Sequence, residues 1–323
     1  MCTAVTYRTK NFYFGRTLDY GFSYAEEVVV TPRNFALNYG DGILENHYAI
    51  IGTAYVPENY PLYYDGVNEK GLCMAGLNFV GNAVYRKPVK GKVNVPQYAV
   101  LPYILGKCAT VKQAVKELEK INITPARYSE YLPVAELHWI IADKSGAITV
   151  ESVKEGLKIY PNPVGVLTNN PQFPVQLFNL NNYLTVTARK PRNGFSDKLN
   201  LKPYSQGMGG IGLPGDYSSQ SRFVRAAFTK LNSVSGNSEE ESISQFFHIL
   251  GSVEVPRGSC ILGKDEYETT IYSSCCNADK GIYYYSTYQN RAVTAVDMNK
   301  ENLESSGLFR YPFIRKEKIS FQN

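Results

Sequence analysis

Two apolar, β-branched runs, Leu137–Ala142 and Ala147–Ser152, are separated only by Asp143-Lys144-Ser145-Gly146. Asp and Gly in so short a connection supply the tight turn that joins antiparallel strands. A chain with this hairpin commits to an antiparallel sheet. Similar short runs, bounded by Asn, Gly and Pro, recur at Val5–Tyr7, Phe12–Gly15, Glu27–Thr31, Tyr48–Tyr55 and Leu72–Phe79. Thr269–Cys275, Gly281–Tyr288 and Ala292–Asp297 follow one another closely enough to form a meander.

Helical signals are fewer. Thr110-Val111-Lys112-Gln113 and Ser238-Glu239-Glu240-Glu241 both have the capping-box form. The first opens onto Val111, Val115 and Leu118, the second onto Ile243, Phe246, Phe247 and Leu250, at helical spacing. Ser218–Leu231 reads as a third helix and Gln172–Leu184 as a fourth. Blocks of strands alternating with blocks of helices predict a layered α+β fold rather than a parallel sheet with crossover helices. No repeat, linker or low-complexity segment divides residues 1–323, which are read as one domain.

Charge and targeting signals exclude several classes. Lys plus Arg is 34 and Asp plus Glu 29, a net charge of +5. That is too weak for a nucleic-acid partner, and no run of five or more basic residues occurs. The start, Met1-Cys2-Thr3-Ala4-Val5-Thr6, lacks the basic segment and the apolar stretch of about 7–15 residues that mark secretion. The longest apolar stretch, Tyr98–Gly106, is far short of the roughly 20 residues that span a bilayer. A soluble, cytoplasmic chain without a membrane partner is expected. The six cysteines contain no C-x-x-C, and the three histidines (His47, His138, His248) share no metal spacing with them. No metal is expected, and five of the six cysteines read as free, mostly buried thiols.

Five segments could carry chemistry. Cys2 follows the initiator methionine, and a small residue there permits methionine removal. The thiol and an α-amine would then share one residue, as nucleophile and proton carrier near neutral pH. In Phe14-Gly15-Arg16-Thr17-Leu18-Asp19-Tyr20 a guanidinium and a carboxylate follow a short strand that would pair near the N-terminus. Ala75-Gly76-Leu77-Asn78-Phe79 and Leu167-Thr168-Asn169-Asn170-Pro171 each end a strand with amides that can act as oxyanion donors or as ordinary turn residues. The glycine-rich run Gly207–Asp216 precedes Ser221-Arg222-Phe223-Val224-Arg225. It lacks the Gly-Lys-Ser/Thr ending of a phosphate loop and reads as a structural turn that presents Arg222.

Together, and in this order, these segments resemble the choloylglycine hydrolase family of conjugated bile salt hydrolases and penicillin V acylases. LHWIIAD at 137–143, GIGLPGD at 210–216 and QFFHILGSVE at 245–254 extend the likeness through nearly the whole chain. The resemblance implies an N-terminal nucleophile hydrolase with a four-layer αββα fold, two stacked antiparallel sheets and helices outside. It implies removal of Met1 and a catalytic set of Cys2, Arg16, Asp19, Asn78, Asn169 and Arg222. In that set Cys2 attacks the amide joining a bile acid to glycine or taurine, and its α-amine shuttles the proton. Asp19 holds the ammonium and Arg16 favours the thiolate. The Asn169 side chain and the Asn78 N–H receive the oxyanion, and Arg222 buttresses the cluster. No cofactor is implied; a homotetramer is.

Thr17 departs from the family, which more often carries Asn there. Strand alternation turns it away from Arg16, so little effect on chemistry is expected. Tyr20, Phe22, Tyr24 and Leu132 are the expected steroid contacts, with Tyr60, Leu62, Tyr63 and Tyr131 nearby. Asn78 in its LNF setting resembles the bile salt branch. The rival readings are a penicillin V acylase, a non-catalytic sterol-binding protein that would retain Met1, and a thiol-redox role for Cys275-Cys276.

Overall fold

Alternation along each strand decides what it faces. In Glu27–Thr31, Val28 and Val30 enter one core and Val29 another. In Cys73–Asn78, Cys73, Ala75 and Leu77 join the first core and Met74 the second. In Leu137–Asp143, Ile140 and Ala142 divide in the same way from Trp139 and Ile141. A strand buried on both faces must lie inside a stack of layers.

The computed structural model, which describes Met1–Asn323, shows that stack. One antiparallel sheet has six strands, in the order Val166–Leu167, Cys2–Arg8, Phe12–Tyr20, Thr269–Asn277, Ile282–Thr287 and Asn290–Asp297. The other has eight: Gly156–Pro161, Gly146–Val153, Leu137–Asp143, Cys73–Asn78, Leu62–Asn68, Ile50–Tyr55, Glu27–Thr31 and Phe309–Pro312. The sheets face each other across the first core. Helices α1 (Val100–Lys107) and α2 (Val111–Leu118) cover the eight-stranded sheet. After α3 (Phe173–Asn179), helices α4 (Ser219–Asn232) and α5 (Glu239–Gly251) cover the six-stranded one. The architecture is the four-layer αββα arrangement. No helix is long and apolar enough to cross a membrane.

Local signals account for most boundaries. The Ser238 hydroxyl accepts from Glu241 N–H while the Glu241 carboxylate accepts from Ser238 N–H, a complete capping box. At Thr110 only half forms: its hydroxyl accepts from Gln113 N–H, but the Gln113 side chain turns to Ala109 N–H. The helix expected over Gln172–Leu184 is shorter, with α3 ending at Asn179 and a 3₁₀ turn running to Tyr183. Two elements escape the pattern. Val100–Lys107 is buried almost all round, so α1 has no polar stripe to betray its period. The strand Leu62–Asn68 was not expected; it contains Asp65-Gly66, residue types common in turns. In the fold Asp65 is buried, and it accepts hydrogen bonds from Tyr272, Ser274 and Tyr283 at 2.6, 3.0 and 2.6 Å.

Gly15 marks a close approach of two strands. A Cβ there would lie 1.9 Å from the Ser274 carbonyl oxygen, a backbone atom with nowhere to retreat. Overpacking of this kind costs about 1–3 kcal/mol, which for a chain of this size is a loss of several degrees in Tm. Gly15→Ala is therefore expected to melt well below the parent. An unchanged calorimetric Tm would show that the two strands can part there freely.

Candidate active site

The site begins with the register of the first two strands. Cys2 lies opposite Leu18, Thr3 opposite Thr17 and Ala4 opposite Arg16. Side chains alternate across a sheet, so this register sends Cys2, Arg16 and Leu18 to one face. All three line a single cavity of about 240 Å³ between the sheets. Thr3, Thr17 and Asp19 take the opposite face, toward α4 and Arg222.

Arg16 is buried and held by backbone oxygens. Its Nη1 donates to Tyr64 O at 3.0 Å and Gly76 O at 2.6 Å, and its Nε to Thr17 O at 3.2 Å. Burial disfavours its charge, but Cys2, Tyr272, Asp65 and Asp19 together outweigh that and raise its pKa. It is a fixed cation beside the thiol.

Asp19 is also fully buried. Its Oδ1 accepts from Thr270 Oγ1 at 2.6 Å and its Oδ2 from Thr17 Oγ1 at 3.2 Å; Arg222 Nη1 stands 4.0 Å away. Burial pushes the Asp19 carboxyl up in pKa, against the pull of Arg222 and the terminal ammonium. Thr17 does turn away from Arg16, but it touches Asp19, a contact that strand alternation at i and i+2 already implied.

Arg222 joins the pieces. Its Nη1 donates to Cys2 O and, at 2.8 Å, to Thr3 Oγ1; its Nη2 reaches Asn169 Oδ1 at 2.7 Å. Its Nε donates to Tyr217 O at 3.0 Å, so the end of the glycine-rich turn anchors it. Burial lowers its pKa, with Asp19 and Cys2 opposing.

Asn169 Oδ1 also accepts from Cys2 N–H at 2.9 Å, while Nδ2 donates to Asn78 O at 2.8 Å. Nδ2 carries two hydrogens, and the Asn78 carbonyl takes one. Asn78 sits at the end of its strand. Phe79 N–H bonds Glu136 O, and antiparallel pairs alternate, so Asn78 N–H turns away from that neighbour. On its other side the ladder stops at Ala75, which leaves this donor free at the cavity that Asn78 lines. Asn170 is different: it is exposed, and its Nδ2 donates to Val80 O.

Met1 precedes Cys2 in this chain. Its ammonium donates to Asp19 O at 2.8 Å and pairs with Glu268, a residue that no sequence signal singled out. Cys2 N is therefore an amide here, and its partner is Asn169 rather than Asp19.

The rest of the cavity wall is apolar and aromatic. Tyr20, Tyr24 and Leu132 line it, as do Leu62 and Tyr63. Phe22 does not: it follows the strand end at Tyr20, is 55% exposed, and packs on the outer side of Tyr20 and Tyr24. Tyr131 points to solvent, and Tyr60 lies behind the wall, stacked on Tyr128. Tyr55, Tyr64, Tyr98, Tyr128 and Trp139 line the cavity without having been expected there. With 26 tyrosines in the chain, composition could not single these out.

Residues 2–311 match the linear amide C-N hydrolases, choloylglycine hydrolase family. The chain belongs to this family. It is 55% identical over 313 residues to the bile salt hydrolase/transferase of Lactiplantibacillus plantarum, covering 97% of each chain. A solved variant of the conjugated bile acid hydrolase of Clostridium perfringens superposes with a TM-score of 0.92 at 36% identity, covering both chains completely. The penicillin V acylase of Agrobacterium tumefaciens shares the fold, with a TM-score of 0.76 at 22% identity over 96% of this chain and 90% of its own. The chain is thus an amide-cleaving enzyme with the N-terminal nucleophile hydrolase fold.

The cysteines should differ in reactivity. Burial raises the pKa of Cys73, Cys275 and Cys276 well above the ordinary range and that of Cys108 to about 12; it also raises Cys260. A thiol held protonated is a poor nucleophile. Iodoacetamide at neutral pH is expected to label Cys2 first, with loss of activity tracking that adduct in peptide mass spectrometry. Faster labelling at any of the other five would contradict this assignment.

Proposed function

We propose that this enzyme hydrolyses the amide bond joining a bile acid to glycine or taurine, using Cys2 as the nucleophile once Met1 has been removed. The observation that carries the reading is the place of Cys2: its thiol is at the wall of an aromatic cavity, next to Arg16 and Asn78. A conjugated bile salt is a rigid apolar body with an anionic tail, and it needs an apolar trough with few polar contacts. The names of the relatives from Lactiplantibacillus plantarum and Clostridium perfringens support the same substrate.

Loss of Met1 converts Cys2 N from an amide into an α-amine, beside Asn169 Oδ1. That amine takes the thiol proton as sulfur attacks the substrate carbonyl, then gives it to the departing glycine or taurine nitrogen. The tetrahedral oxyanion takes the second Nδ2 hydrogen of Asn169 and the free Asn78 N–H. Arg222 keeps the Asn169 oxygen engaged, which leaves its nitrogen directed toward Asn78, a residue of the cavity wall. Asp19 balances Arg222 and the new ammonium. Water then cleaves the thioester. An amine in place of water gives acyl transfer, in keeping with the double name of the Lactiplantibacillus relative.

Intact-mass measurement of active enzyme is expected to show loss of one methionine, and full activity with Met1 attached would end this mechanism. Glycocholate and taurocholate are expected to turn over faster than penicillin V, and Cys2→Ala to be inert toward all three. Preference for penicillin V would assign the cavity to phenoxyacetyl amides instead.

Asn169→Ala is expected to lower kcat and kcat/KM together by about 10²–10³, the scale of a lost oxyanion donor. Asn170→Ala, at an exposed side chain bonded to Val80 O rather than to Cys2, Asn78 or Arg222, is expected to be milder. Steady-state kinetics on glycocholate decide between them. An effect of Asn169→Ala confined to KM would move that side chain from transition-state stabilisation to substrate binding.

A further inference from the structure

Next to the proposed oxyanion donors lies a buried pair that the mechanism above does not use. His138 and Glu151 are both completely buried, on the adjacent strands Leu137–Asp143 and Gly146–Val153. His138 Nδ1 stands 3.2 Å from Glu151 Oε1, and its Nε2 stands 2.8 Å from the Thr168 carbonyl oxygen. A carbonyl can only accept, so Nε2 carries a proton. Glu151 Oε1 also accepts from Phe173 N–H at 2.9 Å.

These contacts grip one short segment at both ends. Thr168 immediately precedes Asn169, and Phe173 opens α3 just after Pro171. His138 holds the first end and Glu151 the second. The imidazole face does a third thing: it stacks on the Phe79 ring, with centroids 4.3 Å apart and planes 7° from parallel. Phe79 immediately follows Asn78. One buried ring thus touches the neighbour of each proposed oxyanion donor, although the two donors lie on different parts of the chain.

We propose that His138, braced by Glu151, is the positioning residue of the oxyanion site, setting the distance between Asn78 and Asn169. This rests on the assignment of those two asparagines as oxyanion donors. Fixing two donors against one developing charge is a demand of the transition state, and a misplacement of about 1 Å can cost about 10²-fold in rate. His138→Phe keeps an aromatic face against Phe79 but loses both hydrogen bonds. It is expected to lower kcat on glycocholate about 10- to 100-fold, less than or equal to the loss of a whole donor, with KM little changed. The rate of Cys2 alkylation by iodoacetamide is expected to stay at the parent value, because that reaction forms no oxyanion. His138→Gln, which retains a donor for the Thr168 carbonyl, is expected to recover part of kcat.

A kcat unchanged in His138→Phe while Asn169→Ala is impaired would overturn the role of His138 and leave the donor assignment standing. If Asn169→Ala is itself unimpaired, the donor assignment falls first. Alkylation slowing in step with kcat would also overturn the proposal, since that marks general disturbance around Cys2. Should His138→Phe fail to fold, Phe79→Leu and Glu151→Gln are read by the same two rates: a selective loss of kcat supports the proposal, and a parallel loss or none refutes it.

Discussion

The pairing of Cys2 with Leu18 and of Ala4 with Arg16 governs the site. A slip of one residue in this register would turn Cys2 away from the cavity and Arg16 into the helix layer. Both faces of these strands are buried, so such a slip would also place Asp19 and Thr17 in an apolar wall. Neighbouring strands hold the register from either side. Arg16 N–H donates to Ser274 Oγ on one flank, and Leu167 pairs with Ala4 on the other. Cys2 is thus placed by the register of a buried strand held on both sides, where few backbone groups can move independently.

Placing two guanidinium groups and a carboxylate in that interior is expensive unless every polar atom has a partner. Arg16 meets this with backbone carbonyls, drawn from the strand Leu62–Asn68 and from Gly76. Arg222 meets it with the first strand, Asn169 and the end of the glycine-rich turn. Asp19 relies on two threonine hydroxyls and the longer pairing with Arg222. The same connections that satisfy the charges also fix the positions of Cys2, Asn78 and Asn169, so charge satisfaction and preorganisation have one structural source.

Sequence reasoning reached much of this because the relevant signals are local. The hairpin around Asp143–Gly146 and the Ser238 capping box each depend on residues a few positions apart, whereas the strand expected over Phe12–Gly15 runs on to Tyr20 and takes in Arg16 and Asp19. It failed where the signal was averaged away. Helix α1 has apolar residues on all sides, and Leu62–Asn68 hides a buried Asp65 whose partners lie some 200 positions later in the chain. Phe22 looked like a cavity residue by type and proximity, but two positions past the strand end alternation no longer fixes direction.

By itself, the sequence determined which residues could do chemistry, namely Cys2 next to the initiator methionine, two arginines, one acid and two strand-end amides, in a chain that matches a family of amide hydrolases. It also determined a layered antiparallel fold, since period-two patterns and short turns encode that locally. Only the tertiary structure decided which amide faces Cys2, which tyrosines wall the cavity, and that Glu268, Thr270, His138 and Glu151 belong to the neighbourhood. Those facts depend on contacts between strands and turns far apart in the chain. No local pattern records such contacts, because they follow from sheet register and layer packing rather than from any residue's immediate neighbours.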